Sequence, residues 1–170
     1  MPVLVKPTKT KLTWGDFGKS SGTFGNEVAE AGYDSGFQPE NFTPREIRKL
    51  FYLPATFTVR VWPVANVYEK ADLTDALLAH EQLHYDVGIV CARALARELE
   101  GLSNATPQGL ADAISALQAT HMFDRAGKIQ EAYDTETDHG KDRDKQQKWQ
   151  DAMKECLANR NATRLKGFPL

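Results

Sequence analysis

Between Leu73 and Leu99 the chain has no proline and a single glycine, and Gly101 follows as a natural stop. Asp72 or Thr74 can cap the start of this run. The pattern predicts a long helix from about Leu73 to Leu99, and every other element must pack around it. Its centre reads His80-Glu81-Gln82-Leu83-His84. Four helical residues advance about 400°, which leaves the side chains at i and i+4 about 40° apart on one face. Two imidazoles at that spacing reach one metal ion. Glu81 projects from the neighbouring stripe, where it can meet a water on that metal. Zinc hydrolysis needs these parts: neutral nitrogen ligands, an open coordination position and a carboxylate base. Leu77, Leu78, Leu83, Val87, Ile89 and Val90 supply apolar residues around the motif, so one face is expected to pack on a core while the other holds the metal.

Two histidines leave a catalytic zinc one protein ligand short. The chain has only two others, His121 and His139. His139 is the better candidate, because it stands beside Gly140 where a second helical pattern breaks and its ring can point across at another helix. Glu131, Asp134 and Glu136 are the alternatives, since a site of two histidines and one carboxylate is also common. Asp134 and Asp138 can instead orient a ligating histidine. His121 reads as a surface or satisfied core histidine. Tyr133 reads either as a hydroxyl donor to an oxyanion or as a packed aromatic.

The rest of the chain is ordinary for a soluble globular protein. Its 170 residues fit one domain, residues 1–170. A net charge of -2 with no basic tract argues against nucleic acid and against an anionic membrane surface. No apolar run reaches the length of a membrane span. Met1 to Pro7 is too short and interrupted for a signal peptide, so the chain as it stands reads as cytoplasmic. Cys91 and Cys156 read as two buried thiols, with a bridge between packed helices possible in an oxidising compartment.

Residues 1 to about 40 are rich in Gly, Ser, Pro and Asp and are expected to form short strands and loops. Thr43-Pro44-Arg45-Glu46 resembles a capping box and predicts a short helix from about Pro44 to Phe51. Thr56 to Val61 alternates, with Phe57, Val59 and Val61 on one face, and predicts a half-buried strand. Pro63 should end that strand or confine it to an edge, where an extended peptide could pair with it. Thr106-Pro107 opens a helix reaching about Thr137, and a last helix runs from about Asp142 to Asn159 with Trp149, Met153 and Leu157 on its core face. The fold class is α+β: a small N-terminal strand region on a mainly helical, zincin-like core.

Several segments together resemble a bacterial family of predicted secreted zinc-dependent proteases, catalogued as a domain of unknown function. They are Leu12-Thr13-Trp14-Gly15-Asp16-Phe17, the strand at Thr56 to Val61, Thr74 through Asp86, and Tyr133-Asp134-Thr135-Glu136-Thr137-Asp138-His139-Gly140. The last is similar to a Y-D-x-x-T-x-H-G motif, and the resemblance singles out His139 and, less strongly, Tyr133. Leu83 replaces an expected glycine, and Gly32 to Pro54 looks like an insertion. The resemblance implies a secreted or periplasmic location.

The function expected from these readings is a zinc-dependent metallopeptidase acting on a peptide or protein substrate. His80, His84 and His139 hold Zn²⁺ and Glu81 is the general base. Two other readings stand beside it. One is a non-catalytic helical module with a structural zinc; the other is a zinc amidase acting on cell-wall peptides.

Overall fold

A computed structural model describes residues 2–20, 28–68 and 72–170. The first sheet is built on β6 (Thr58–Tyr68), the longest strand. The β1 strand (Leu4–Pro7) and β2 (Gly18–Ser20) both run parallel to β6 along one side, and β3 (Ala29–Gln38) runs antiparallel along the other. A 3-10 turn, Trp14–Asp16, leads into β2.

The strand expected at Thr56 to Val61 is therefore present but is not an edge. It is the central strand, and it continues through Pro63. The register explains how. β1 pairs with β6 only from Thr58 to Val61, and β2 only from Asn66 to Tyr68. Tyr68 N–H donates to Val28 O, so even-numbered residues of β6 bond to β3 and odd-numbered ones turn the other way. Pro63 thus aims its missing N–H at the gap between β1 and β2, where no ladder bond is lost. The same parity turns the backbone groups of Ala29, Ala31 and Tyr33 to the outer edge of β3. Among the described residues, no strand pairs with that edge. The first part of the segment that looks like an insertion, Gly32 to Gln38, is the body of β3 and is integral to the sheet.

The helix expected from Pro44 to Phe51 is instead a hairpin, β4 (Arg45–Ile47) and β5 (Leu50–Tyr52). Arg48 and Lys49 turn it with φ of 52° and 65°. Two consecutive left-handed residues give the tight turn that suits paired strands. A third strand, β7 (Ser103–Asn104), pairs with β5, so tertiary pairing overrides the local capping signal.

The helices follow the sequence closely. α1 spans Asp75–Leu99, and the Thr74 side chain caps it by accepting from Leu77 N–H at 3.1 Å. Gly101 stops it with φ of +79°. α2 (Pro107–Gln118), capped by Thr106, passes through a π-helical segment, Ala119–Arg125, into α3 (Ala126–Thr137). α4 (Arg143–Ala158) is capped by Asp142, and a small β8–β9 pair (Arg164–Leu165, Phe168–Pro169) closes the chain. The π segment is unforeseen. Beside it, the Tyr33 hydroxyl donates to Met122 O across from β3, which ties the sheet to this long helix.

α1 packs on β1, β3 and β6 on one side and on the other helices on the opposite side. It is consequently buried almost all round from His80 to Ala96, not amphipathic. Gly88 is required there, because a Cβ would stand 2.2 Å from Tyr33 Cγ. No helix among the described residues is long and apolar enough to cross a membrane.

Candidate metal centre

His80 and His84 face α3, which brings Asp134 to meet them. His80 Nε2 and His84 Nε2 are 3.1 Å apart. Asp134 Oδ1 lies 3.2 Å from the first and 2.9 Å from the second. Four-coordinate zinc with ligands at about 2.0–2.1 Å separates those ligands by about 3.3 Å, so a triangle of this size suits such an ion. Both histidines are buried, at 4% and 8% exposure.

Each imidazole is held from behind by a glutamine. The Gln130 amide nitrogen donates to His84 O at 3.1 Å, so its Oε1 is the end that meets His84 Nδ1. Gln146 Oε1 stands 3.3 Å from His80 Nδ1 and also accepts from the Tyr133 hydroxyl at 2.8 Å. An amide oxygen only accepts, so the Gln130 network assigns the ring proton of His84 to Nδ1, and Gln146 Oε1 in this orientation accepts the same proton of His80. Both Nε2 lone pairs then point at the Asp134 carboxylate. Asp134 Oδ1 is buried and has no hydrogen-bond partner of its own. Three converging acceptors repel one another unless a cation sits among them, and two imidazoles with a carboxylate are a donor set that suits zinc. A buried His80/His84/Asp134 group that could hold a metal ion is what the structure presents.

The charges of these three groups depend on one another. Burial pushes the His84 imidazole down, but the Asp134 carboxylate outweighs it and raises His84 above its ordinary value. Burial likewise pushes Asp134 up, and the two imidazoles overcome this to hold it well below the usual carboxylate range. Glu81 is 3% exposed, and its burial raises it above the usual value against the pull of His84 and His80. The outward-facing Ala31 backbone amide of β3 bonds to it.

His139, the expected third ligand, stands beside this group. Its Nδ1 lies 4.0 Å from Asp134 Oδ1 and its side chain is 53% exposed. The carboxylate alternative, Asp134, is the one that meets both histidines. Glu131 is exposed, and Glu136 faces elsewhere, pairing with Lys166 and Trp149. Tyr133 is fully buried, stacks on His80 at 4.7 Å and donates to Gln146, so it packs and supports the site. His121 lies elsewhere, 1% exposed and 3.1 Å from Glu98. Cys91 and Cys156 are free and buried, and burial pushes the Cys91 thiol up to about 12.

The second motif has a physical role at nearly every position. Thr137 Oγ1 donates to Tyr133 O and accepts from Gly140 N–H, which closes the helix end. Asp138, His139 and Gly140 all adopt positive φ. A Cβ on Gly140 would stand 2.9 Å from His80 Nδ1, so this turn is seated against the ligand ring. Sequence reasoning missed Gln130 and Gln146. The usable signal for Gln130 was its position four residues before Asp134, on the same face of α3.

No curated protein and no solved structure matches the chain. Residues 56–140, half of the chain, match a family described as "Bacterial protein of unknown function (DUF922)". That span runs from two residues before the central strand to Gly140 and includes all three residues of the metal-binding group. The chain belongs to this bacterial family, DUF922.

Proposed function

We propose that the chain is a zinc-dependent peptidase of zincin-like architecture. The observation that carries this reading is the triangle of His80, His84 and Asp134 with the Glu81 carboxyl buried among the same side chains. His80, His84 and Asp134 hold the metal, and His139 at the rim is the candidate to replace or join Asp134. Zinc supplies a Lewis acid that polarises a substrate carbonyl and lowers the pKa of water towards about 7. Glu81 accepts the proton of the attacking water and returns it to the departing amine. The outer edge of β3 beside Glu81 favours a peptide as substrate. Its outward N–H and C=O groups match those of an extended backbone.

The test is Glu81→Gln. The variant binds zinc as the wild type does, by metal analysis after dialysis, while hydrolysis of a peptide panel falls by about 10²–10⁴. A zinc-loaded wild type that hydrolyses nothing removes the peptidase reading. The depth of His80 and His84 supports one rival, a purely structural metal, for which Glu81→Gln changes neither metal binding nor stability.

A further inference from the structure

A cavity lies beside the other half of α1 from the metal centre. Arg93 is nine residues beyond His84, about 14 Å along the helix axis, so it is separate from the metal centre. This cavity, about 500 Å³, opens between β1, the C-terminal half of α1 and the end of α4. Val3, Val5, Ile89 and Ala96 line it with apolar surface. Lys6, Arg93, Arg97 and Arg160 line it with positive charge.

The four cations share one cavity in a chain of net charge -2. Among the described residues, none of the four sits within ion-pair distance of a carboxylate. Glu100 is the one acid in the lining, and its Oε1 accepts from Val3 N–H at 3.2 Å. Arg93 donates to Leu157 O, and Arg97 donates to Arg160 O and Ala162 O, which seats the end of α4. A guanidinium carries five donors, so these bonds leave others directed elsewhere. Like charges held together in this way repel unless an anion joins them.

The edge of β1 is closed to an added strand. Thr8 N–H donates to Val61 O, so the odd-numbered residues of β1 face outward. Of these, Val3 has its N–H taken by Glu100, and Pro7 has none. The cavity therefore suits a compact ligand better than an extended peptide, and its volume is in the range of small-molecule pockets.

We propose that this cavity is a binding site for a small amphiphilic anion, a phosphate or carboxylate head on a short apolar body. The head meets Arg93, Arg97, Arg160 and Lys6, and the body lies on Val5, Ile89 and Ala96. Burial lowers the Arg93 guanidinium from its ordinary value, and the neighbouring Arg160 and Arg97 charges lower it further against the pull of Asp86.

The test is calorimetric titration of the full chain with octyl phosphate, octanoate, inorganic phosphate and octyl glucoside, each with and without zinc. Octyl phosphate or octanoate binds one per chain regardless of zinc, and whichever binds tighter identifies the head. Inorganic phosphate and octyl glucoside, which carry only one half of the ligand, bind at least about tenfold more weakly. The double variant Lys6→Glu/Arg160→Glu changes two exposed residues and should keep its melting temperature while losing at least about tenfold in affinity. The proposal fails if neither amphiphilic anion binds below about 1 mM, if the double variant binds as well as wild type, or if octyl glucoside binds equally well.

Discussion

At the scale of single residues, Gly101 and Gly140 form a natural controlled pair. Both have φ of +79°, but a Cβ on Gly101 meets nothing within 4 Å, whereas one on Gly140 meets the His80 ring. Gly101→Ala should therefore lose about 1–2 kcal/mol from backbone strain alone. Gly140→Ala should lose that and also tilt His80, with zinc affinity falling about tenfold or more, as when a ligand's supporting contacts are changed. Melting temperatures and zinc-chelator competition on both variants separate the two effects; equal zinc affinity in both would show that the contact does not position His80. His121 offers a pH test remote from the metal. Burial lowers its pKa from 6.5, against the pull of Glu98, so the unfolded chain takes up a proton before the folded one. Its contribution to stability is complete above about pH 6.5 and is lost as pH falls through the lower folded value. Between pH 7.5 and pH 5.5, wild type should lose more melting temperature than His121→Gln; parallel curves would rule out this linkage. Residues of this kind differ in legibility. His80, Glu81 and His84 could be read because three functional types recur at a spacing that chemistry dictates. Gln130 and Gln146 could not, because a glutamine that holds an imidazole looks in sequence like any helix-surface glutamine.

At the scale of elements, helix boundaries were readable because their signals are local. Thr74, Thr106 and Asp142 cap their own helices, and Gly101 and Gly140 stop them within the same few residues. Strand partnerships depend on residues far away in the chain. Pro63 looked like the end of a strand, and only the gap between β1 and β2 makes it tolerable within one. Thr43-Pro44-Arg45-Glu46 looked like a helix start, and only the pairing of β5 with β7 shows why it is not used. The π segment between α2 and α3 leaves no mark in the hydrophobic pattern that the sequence reading could use. The β4–β5 turn yields a prediction that opposes the two structures directly. Arg48 and Lys49 hold left-handed conformations that cost L-residues about 1 kcal/mol or more each. Asn-Gly is the preferred pair for such a turn. Arg48→Asn/Lys49→Gly should therefore stabilise the protein by about 1–2 kcal/mol and raise its melting temperature. In a helix the same change would destabilise by a similar amount, so the sign of the shift distinguishes hairpin from helix.

At the scale of the whole molecule, α1 is the shared wall between two layers. One side closes the sheet of β1, β2, β3 and β6, and the other receives the remaining helices. This explains why α1 is buried on both sides: an element between two layers has no solvent face, and the side away from the sheet is the one that carries His80 and His84 to Asp134. It also explains why the two motifs meet although they are distant in sequence. His80 and His84 belong to α1 and Asp134 belongs to α3, so an ion held by all three joins two packed helices. Binding to the folded state alone raises stability by about 4 kcal/mol when free zinc is a thousand times its dissociation constant. For a chain of this size that corresponds to about 8–16 °C in melting temperature. Zinc should produce such a shift in wild type, and a chelator should reverse it. Asp134→Asn keeps the shape of the triangle but removes its charge, and should abolish most of the shift. His139→Ala should keep most of it, because the exposed ring stands outside the three mutually close atoms. The opposite result, with the shift lost in His139→Ala and kept in Asp134→Asn, would make His139 the third ligand and give Asp134 the role of orienting the histidines.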